Sequence, residues 1–287
     1  MNKRAVIATS TGCLDYTDVS QPNLKIWRMK ITLEDKTYDD FTEITADYFY
    51  DQLTQNKQLV PSSSMPSPGE LHELLDDLEK EGYEEAIIIT ISSQLSGTYN
   101  ATALALNAYE GNIKTHVVDS RNAAISEGFL SMEALRLIKE GQKTKDIIEY
   151  LTKLRTHRKQ YFMVDNLRLF VKNGRLSGAS GFVGSMFKIK PILEVNDEGK
   201  IVPFKKIRTQ KRALKEMVEL VIEDLKNIDD FIVTYNTSNN LEGLAYVKER
   251  MEEAYPGYRY IEAPITPVIG CHTGVGTVGI AYFDLNL

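Results

Sequence analysis

The chain has very little of what staples or metallates a small fold. Cysteine occurs only twice, at Cys13 and Cys271, far apart and without ligand-type spacing, which gives no disulfide framework and suits a reducing compartment. The four histidines, His72, His116, His157 and His272, show no metal spacing either, so no metal centre is expected. No apolar run approaches the ~20 residues that a bilayer-spanning helix needs. Basic residues are outnumbered, 34 Lys and Arg against 40 Asp and Glu for a net charge of −6, which argues against a nucleic-acid protein built on a global basic surface. The start, Met1-Asn2-Lys3-Arg4, leads into a short apolar run with no small-residue cleavage site, so no signal peptide is expected and the cytoplasm is the default location. A G-x-x-x-x-G-K-[ST] loop is also missing, and with it the simplest way to hold ATP.

What is present is a globular composition, 43% hydrophobic and 26% charged, in 287 residues, more than one ordinary core usually organises. Short β-rich runs alternate with helical patterns, the pattern of an α/β fold with a parallel sheet covered by helices. Runs at 4–8, 86–91 and 115–119 predict strands, and alternation over 24–33 predicts a half-buried one. Ser67-Pro68-Gly69-Glu70 joins an N-cap, a Pro at the first helical position and a Glu at the third, and Leu71, Leu74, Leu75 and Leu78 then repeat on one face. Helical patterns follow at about 122–140 and 144–157. The β pattern restarts at Phe162-Met163-Val164 after a charged stretch, which places a domain boundary between 1–158 and 159–287. In the second part, 192–195 and 201–204 flank Asn196-Asp197-Glu198-Gly199 as a hairpin. A helix carrying Leu214, Met217, Val218 and Val221, a strand at 231–235, a helix at 239–254 and strands at 259–261 and 278–283 complete an α/β second domain.

Five segments offer chemistry. Gly274-Val275-Gly276-Thr277-Val278-Gly279 spells the dinucleotide fingerprint, but no βαβ unit fits before Leu287, so these glycines read as close backbone approach. Ile91-Ser92-Ser93-Gln94-Leu95-Ser96-Gly97-Thr98-Tyr99 sits where a buried strand turns into a small-residue helix. Its free N–H groups and hydroxyls suit an anion, or else Ser93 simply caps the helix. Pro61-Ser62-Ser63-Ser64-Met65-Pro66-Ser67 reads as a polar loop with three hydroxyls. Lys172-Asn173-Gly174-Arg175 ends a helix and presents Arg175, whose bland role is to compensate the helix dipole. His272 is placed in a loop entering the last strand.

These pieces, taken with Val6-Ile7-Ala8-Thr9-Ser10-Thr11, Val118-Asp119-Ser120, Lys188-Ile189-Lys190-Pro191 and Ile207-Arg208-Thr209, resemble in order and over essentially the whole chain the DegV proteins, the fatty acid-binding B subunits of bacterial fatty acid kinase. Two positions depart from the pattern: the usual Asp of the first motif is Thr9, and the usual Thr-Ser-Gln-Pro reads Ser63-Ser64-Met65-Pro66. The resemblance implies a two-domain α/β fold that buries a fatty acid between its parts and presents the carboxylate to a separate ATP-binding kinase subunit. That partner would own the catalytic magnesium, so this chain would be no enzyme by itself and would need no cofactor beyond the lipid. An acyl-phosphate acceptor enzyme of phospholipid synthesis and transient contact with a membrane surface complete the implied partners.

The ligand-binding residues implied are Ser63, Ser92, Ser93, Arg175 and His272, with Arg175 and His272 neutralising the acyl phosphate after transfer. Ile125, Phe129, Phe182, Val183, Met186, Phe187, Ile189, Ile265, Val268 and Ile269 are acyl-lining candidates that read equally well as ordinary core. Burial of an acyl chain of about sixteen carbons at ~0.8 kcal/mol per CH₂ gives a gross upper figure of ~11 kcal/mol before ordering costs, enough to retain a lipid. Lys188, Lys190, Arg208, Lys211 and Arg212 suggest a local basic docking surface. Two other classes remain: a serine hydrolase using Ser93, Asp119 and His272, which lacks the G-x-S-x-G elbow, and a ligand-sensing regulator without phosphoryl transfer.

Overall fold

The computed structural model describes residues 3–177 and 189–287. Strand β1, Arg4–Thr9, is buried along nearly its whole length, because it lies inside a sheet covered on both faces. Strand β2, Leu24–Trp27, runs parallel to it. The single strand expected over 24–33 is in fact two, since β3, Lys30–Leu33, belongs to another sheet. The break falls at Arg28 and Met29: the Arg28 guanidinium grips Asp15 at 2.8 Å, and the Met29 N–H donates to the Ser10 hydroxyl at 3.1 Å instead of extending β2.

Strand β4, Lys36–Asp39, folds back on β3; after helix α1, Ala46–Gln55, strand β5, Ser62–Ser64, pairs with the other edge of β3. The polar loop expected at 61–67 therefore contains a strand. Nothing local specifies it, and its pairing, Ile31 opposite Ser63, comes from a partner some thirty residues away. Helix α2, Pro68–Lys80, starts on the full capping box of Ser67 and Glu70 with Pro68 at its head. Strand β6, Glu85–Thr90, helix α3, Thr98–Asn107, strand β7, Lys114–Asp119, and helices α4, Ile125–Lys139, and α5, Thr144–Leu154, follow. The parallel sheet has the order β2-β1-β6-β7. Leu71, Leu75 and Leu78 of α2 cover one face through Ile7 and Ile88, while α4 and α5 cover the other through Ile87 and Ile89.

The second sheet draws on β8, Arg158–Met163, then, after the short helix α6, Arg168–Lys172, on the hairpin of β9, Ile192–Val195, and β10, Ile201–Lys205. Helix α7, Gln210–Asp224, strand β11, Phe231–Thr237, helix α8, Leu241–Ala254, strand β12, Tyr260–Pro264, helix α9, Pro267–Thr273, and strand β13, Val278–Asp284, complete the chain. Its order is β10-β9-β8-β13-β11-β12, antiparallel except for β11 with β12. Helices α7 and α8 pack on it through Leu214, Met217, Val218, Leu244 and Val247.

Helix α4 lies between the two large sheets, touching β1 and β6 on one side and β11 and β12 on the other. Buried all round, it carries little polar face. Phe129, an acyl-lining candidate, stands in this core with its ring 4.8 Å from that of Phe283. Helix α9 packs instead on α1 and β3, joining Phe49, Tyr50, Ile31, Ile265 and Val268 in one cluster. The end of the second half is thereby tied to the small sheet of the first. Among the described residues no helix is long and apolar enough to cross a membrane.

Candidate functional site

A cavity of about 290 Å³ opens where the turn after β6, strand β5, the end of α6 and helix α9 converge, close to the lower end of the ~300–1,000 Å³ typical of small-molecule sites. Its wall is mostly apolar: Met29, Ile91, Leu95, Phe170, Val268 and Ile269. Polar groups interrupt it at Thr11, Ser63, Ser96, Arg175, His272 and Thr273. The turns after β1 and β6, strand β10 of the second large sheet and β5 of the small one contribute.

His272 belongs to α9 rather than to the loop expected for it. Pro267 starts the helix and Gly274, at φ +69°, ends it, so the imidazole is held rigidly over the cavity. Its Nε2 hydrogen-bonds the Ser63 Oγ at 2.9 Å, joining α9 to β5 across 209 residues of chain. The other ring nitrogen, Nδ1, is buried without a hydrogen-bond partner among the described residues. Burial, helped by the nearby Arg175 charge, pushes the imidazole pKa down to about 4, so the ring is neutral at neutral pH.

Arg175 follows Gly174, whose φ of +67° terminates α6. It lines the cavity while its Nε donates to the Leu95 carbonyl at 3.3 Å and its guanidinium to the Asn173 carbonyl at 2.6 Å. Asn173 in turn donates to the carbonyls of Cys271 at 2.8 Å and Pro61 at 3.3 Å. One side chain thus fixes the spacing of α6, α9 and β5 around the opening.

Ser92 and Ser93 face elsewhere. Helix α3 begins at Thr98 behind Gly97, five residues beyond Ser93, so Ser93 does not cap it. The Ser93 hydroxyl donates to Asp119 Oδ2 at 2.6 Å and its N–H donates to Oδ1 at 3.1 Å. Ser92 is fully buried and donates to the Gly199 carbonyl at 2.8 Å, seating the turn of the β9–β10 hairpin. Neither serine lines the cavity, whereas Ser63 does. The hydrolase alternative also fails here: a triad needs the imidazole between nucleophile and acid, yet Ser93 binds Asp119 directly and His272 binds Ser63.

Of the acyl-lining candidates, Val268 and Ile269 are in the cavity wall, Ile125, Phe129 and Ile265 are in hydrophobic cores, and Ile189 is buried away from the wall. Phe182, Val183, Met186, Phe187 and Lys188 lie outside the described residues. Two cations of the suggested docking surface have acidic partners, Lys190 with Asp165 and Arg212 with Glu216.

The sequence reading missed Glu127. Helix α4 carries this carboxyl, 1% exposed, to the base of the site, where the Thr9 hydroxyl donates to Oε1 at 2.5 Å and that of Thr11 at 2.8 Å. Burial outweighs those two bonds and pushes its pKa up to about 8. The one available signal is an acid set directly among apolar and small residues, Ile125-Ser126-Glu127-Gly128-Phe129, where a solvated helix face is absent. Asp40 is a second missed acid: it is fully buried, accepts from Thr266 at 2.8 Å, and is pushed up to about 7 by burial. Among the described residues no three His, Cys, Asp or Glu side chains gather as a metal site would require.

With this geometry in view, the similarity of the chain to known proteins is informative. The family model described as "Uncharacterised protein, DegV family" matches residues 3–285. The chain belongs to the DegV family. A DegV crystal structure described as a fatty acid binding protein from Bacillus subtilis is 31% identical, with a TM-score of 0.86 over 99% of this chain and 100% of that one. A fatty acid binding DegV family protein from Streptococcus agalactiae is 28% identical, with a TM-score of 0.90 over the whole of both chains. The fatty acid kinase B3 protein of Streptococcus pneumoniae, loaded with linoleic acid, shares the DegV fold at a TM-score of 0.84 and 21% identity, covering 98% of this chain and 99% of that one.

Proposed function

We propose that this DegV chain is a fatty acid carrier which holds the acyl chain in the cavity between its sheets and offers the carboxylate to a separate kinase subunit for phosphorylation by ATP. The observation that carries this reading is the cavity itself: an apolar wall with the Ser63–His272 pair and Arg175 gathered on it. With the imidazole neutral, the Ser63–His272 pair spends one hydrogen on its own bond and keeps the other to donate to a carboxylate without a buried positive charge, and the exposed Arg175 lies toward the opening, where a phosphoryl group would arrive. The fatty acid-binding descriptions of the Bacillus and Streptococcus relatives support the ligand class, and the kinase B3 protein supports the partner. Delivery of the acyl phosphate to an acceptor enzyme, with transient contact at a membrane surface, belongs to the same proposal.

The test is native mass spectrometry of freshly purified protein. It should show a straight-chain fatty acid at near-unit occupancy, and protein that emerges lipid-free and takes up no added palmitate or oleate removes the reading. The kinase step is tested separately with Arg175→Ala and His272→Ala. Because the phosphoryl group appears only during transfer, both variants should lose more acyl phosphate formation with kinase and Mg-ATP than fatty acid affinity. Full turnover in both would remove Arg175 and His272 from that role.

A further inference from the structure

Thr11 is the cavity-wall hydroxyl that touches a buried acid. Its Oγ1 lies 2.8 Å from Glu127 Oε1 and 2.7 Å from the Thr9 hydroxyl, which is itself 2.5 Å from the same carboxyl oxygen. The other oxygen, Oε2, is buried with no hydrogen-bond partner among the described residues. A carboxylate left with one bare oxygen in the protein interior is costly.

The direction of these bonds depends on one proton. When Glu127 is ionised it only accepts, so both threonine hydroxyls point their hydrogens at Oε1 and Thr11 offers the cavity nothing but lone pairs. When Glu127 carries a proton on Oε1, it donates to Thr9, Thr9 donates to Thr11, and the Thr11 hydrogen is released toward the cavity. The first state repels an anion at that wall and the second receives it.

We propose that Glu127 is a positioning residue which, through Thr9 and Thr11, makes capture of a carboxylate in this cavity dependent on a proton held beneath it. The inference rests on the fatty acid reading above and adds to it a regulating chemistry. Where Glu127 is ionised, each anion bound brings one proton to Oε1, and each anion released returns it to solvent; no other atom changes hands. Among the described residues the titratable groups that act on Glu127 are Asp119, at the end of β7, and the buried Cys13 thiol. Strand β1 and the turn after it face it with Thr9 and Thr11, and β6, α5, β11 and β12 meet α4 through Ile89, Ile147, Ile232 and Ile261 and the Ser126–Thr234 hydroxyl pair. Cys13 is held protonated by burial, and among the described residues no cation acts on Glu127.

The experiment is calorimetric titration of lipid-stripped protein with laurate, kept below its micellar concentration, from pH 7.5 to 9.5, with thermal melts to verify folding. Laurate stays ionised throughout, so a slope reports the protein. Wild-type affinity should fall about tenfold per pH unit above pH 8. Glu127→Gln, whose amide donates at every pH, should vary less than twofold across the window. Thr11→Val, which removes the cavity hydroxyl while leaving the acid in place, should likewise lose the slope. Equal slopes in wild type and both variants overturn this proposal alone. A wild type that binds no fatty acid at any pH overturns the carrier reading and this one with it.

Discussion

Ser63, Ser92 and Ser93 carry the same side chain and have three different partners: His272, the Gly199 carbonyl and Asp119. This difference sorts their mutants. Ser63→Ala removes a hydroxyl from the cavity wall and should lower fatty acid affinity by about 1.5–3 kcal/mol, the worth of a hydrogen bond to a charged group. Ser93→Ala takes the hydroxyl donor from Oδ2 of the part-buried Asp119, while Oδ1 keeps the N–H groups of Ser93 and Arg121, and should cost about 1–3 kcal/mol of folding stability with a smaller loss of affinity. Urea denaturation and calorimetry on the two variants decide it, and the reverse ranking would return Ser93 to the ligand. Sequence alone puts all three serines in plausible turns but not their hydroxyls, whose direction is set by residues far along the chain. Glu127 shows the same limit from the other side: its neighbours in the sequence suggest burial, and only the fold brings Thr9 and Thr11 onto its carboxyl.

Elements with local signals were legible, and elements made by distant pairing were not. Helix α2 announces itself through Ser67, Pro68 and Glu70, and the β9–β10 hairpin through Asn196 and Gly199, whose φ is +86°. Strand β5 is three serines, poor strand formers on propensity, held in place by β3. The α9 helix is seven residues long with glycines inside and after it, so its helical pattern was hidden although Pro267 marks its start. Helix α4 makes a sharper prediction at this scale. Gly→Ala within a helix ordinarily gains up to ~1 kcal/mol, but at Gly128 the new Cβ would stand 2.2 Å from the Gly12 carbonyl oxygen. Gly128→Ala should therefore destabilise by about 1–3 kcal/mol, since backbone cannot move aside as a side chain does. The same shift would displace Thr11, next to Gly12, so weaker fatty acid binding should accompany the lower denaturation midpoint. A more stable Gly128→Ala variant would mean that α4 does not approach the turn so closely.

At the scale of the whole molecule, alternation of β-rich and helical segments gave the α/β class and the strands of both large sheets. The mostly antiparallel order of the second sheet and the separate β4-β3-β5 sheet were set by contacts that periodicity does not carry. The same tertiary burial leaves a global signature in titration. Asp40 is raised from 3.8 to about 7 and Glu127 from 4.5 to about 8, each chiefly by burial, while His272 is lowered from 6.5 to about 4 by burial and Arg175. An acid with a raised pKa binds its proton more tightly in the folded chain, so stability falls as pH climbs from its unfolded to its folded value and is flat beyond. The lowered histidine acts oppositely, adding stability from about pH 4 to 6.5. Between pH 6.5 and 8 the histidine contribution is complete and the two acids lower stability, Asp40 up to about pH 7 and Glu127 up to about pH 8, at up to ~1.4 kcal/mol per pH unit for each proton. Lipid-free wild type should therefore have a lower urea midpoint at pH 8 than at pH 6.5, and Asp40→Asn with Glu127→Gln should remove most of that drop. Retention of the full wild-type drop in the double variant would mean that neither acid holds a proton in the folded protein, and would leave Thr11 with a charged acid beneath it.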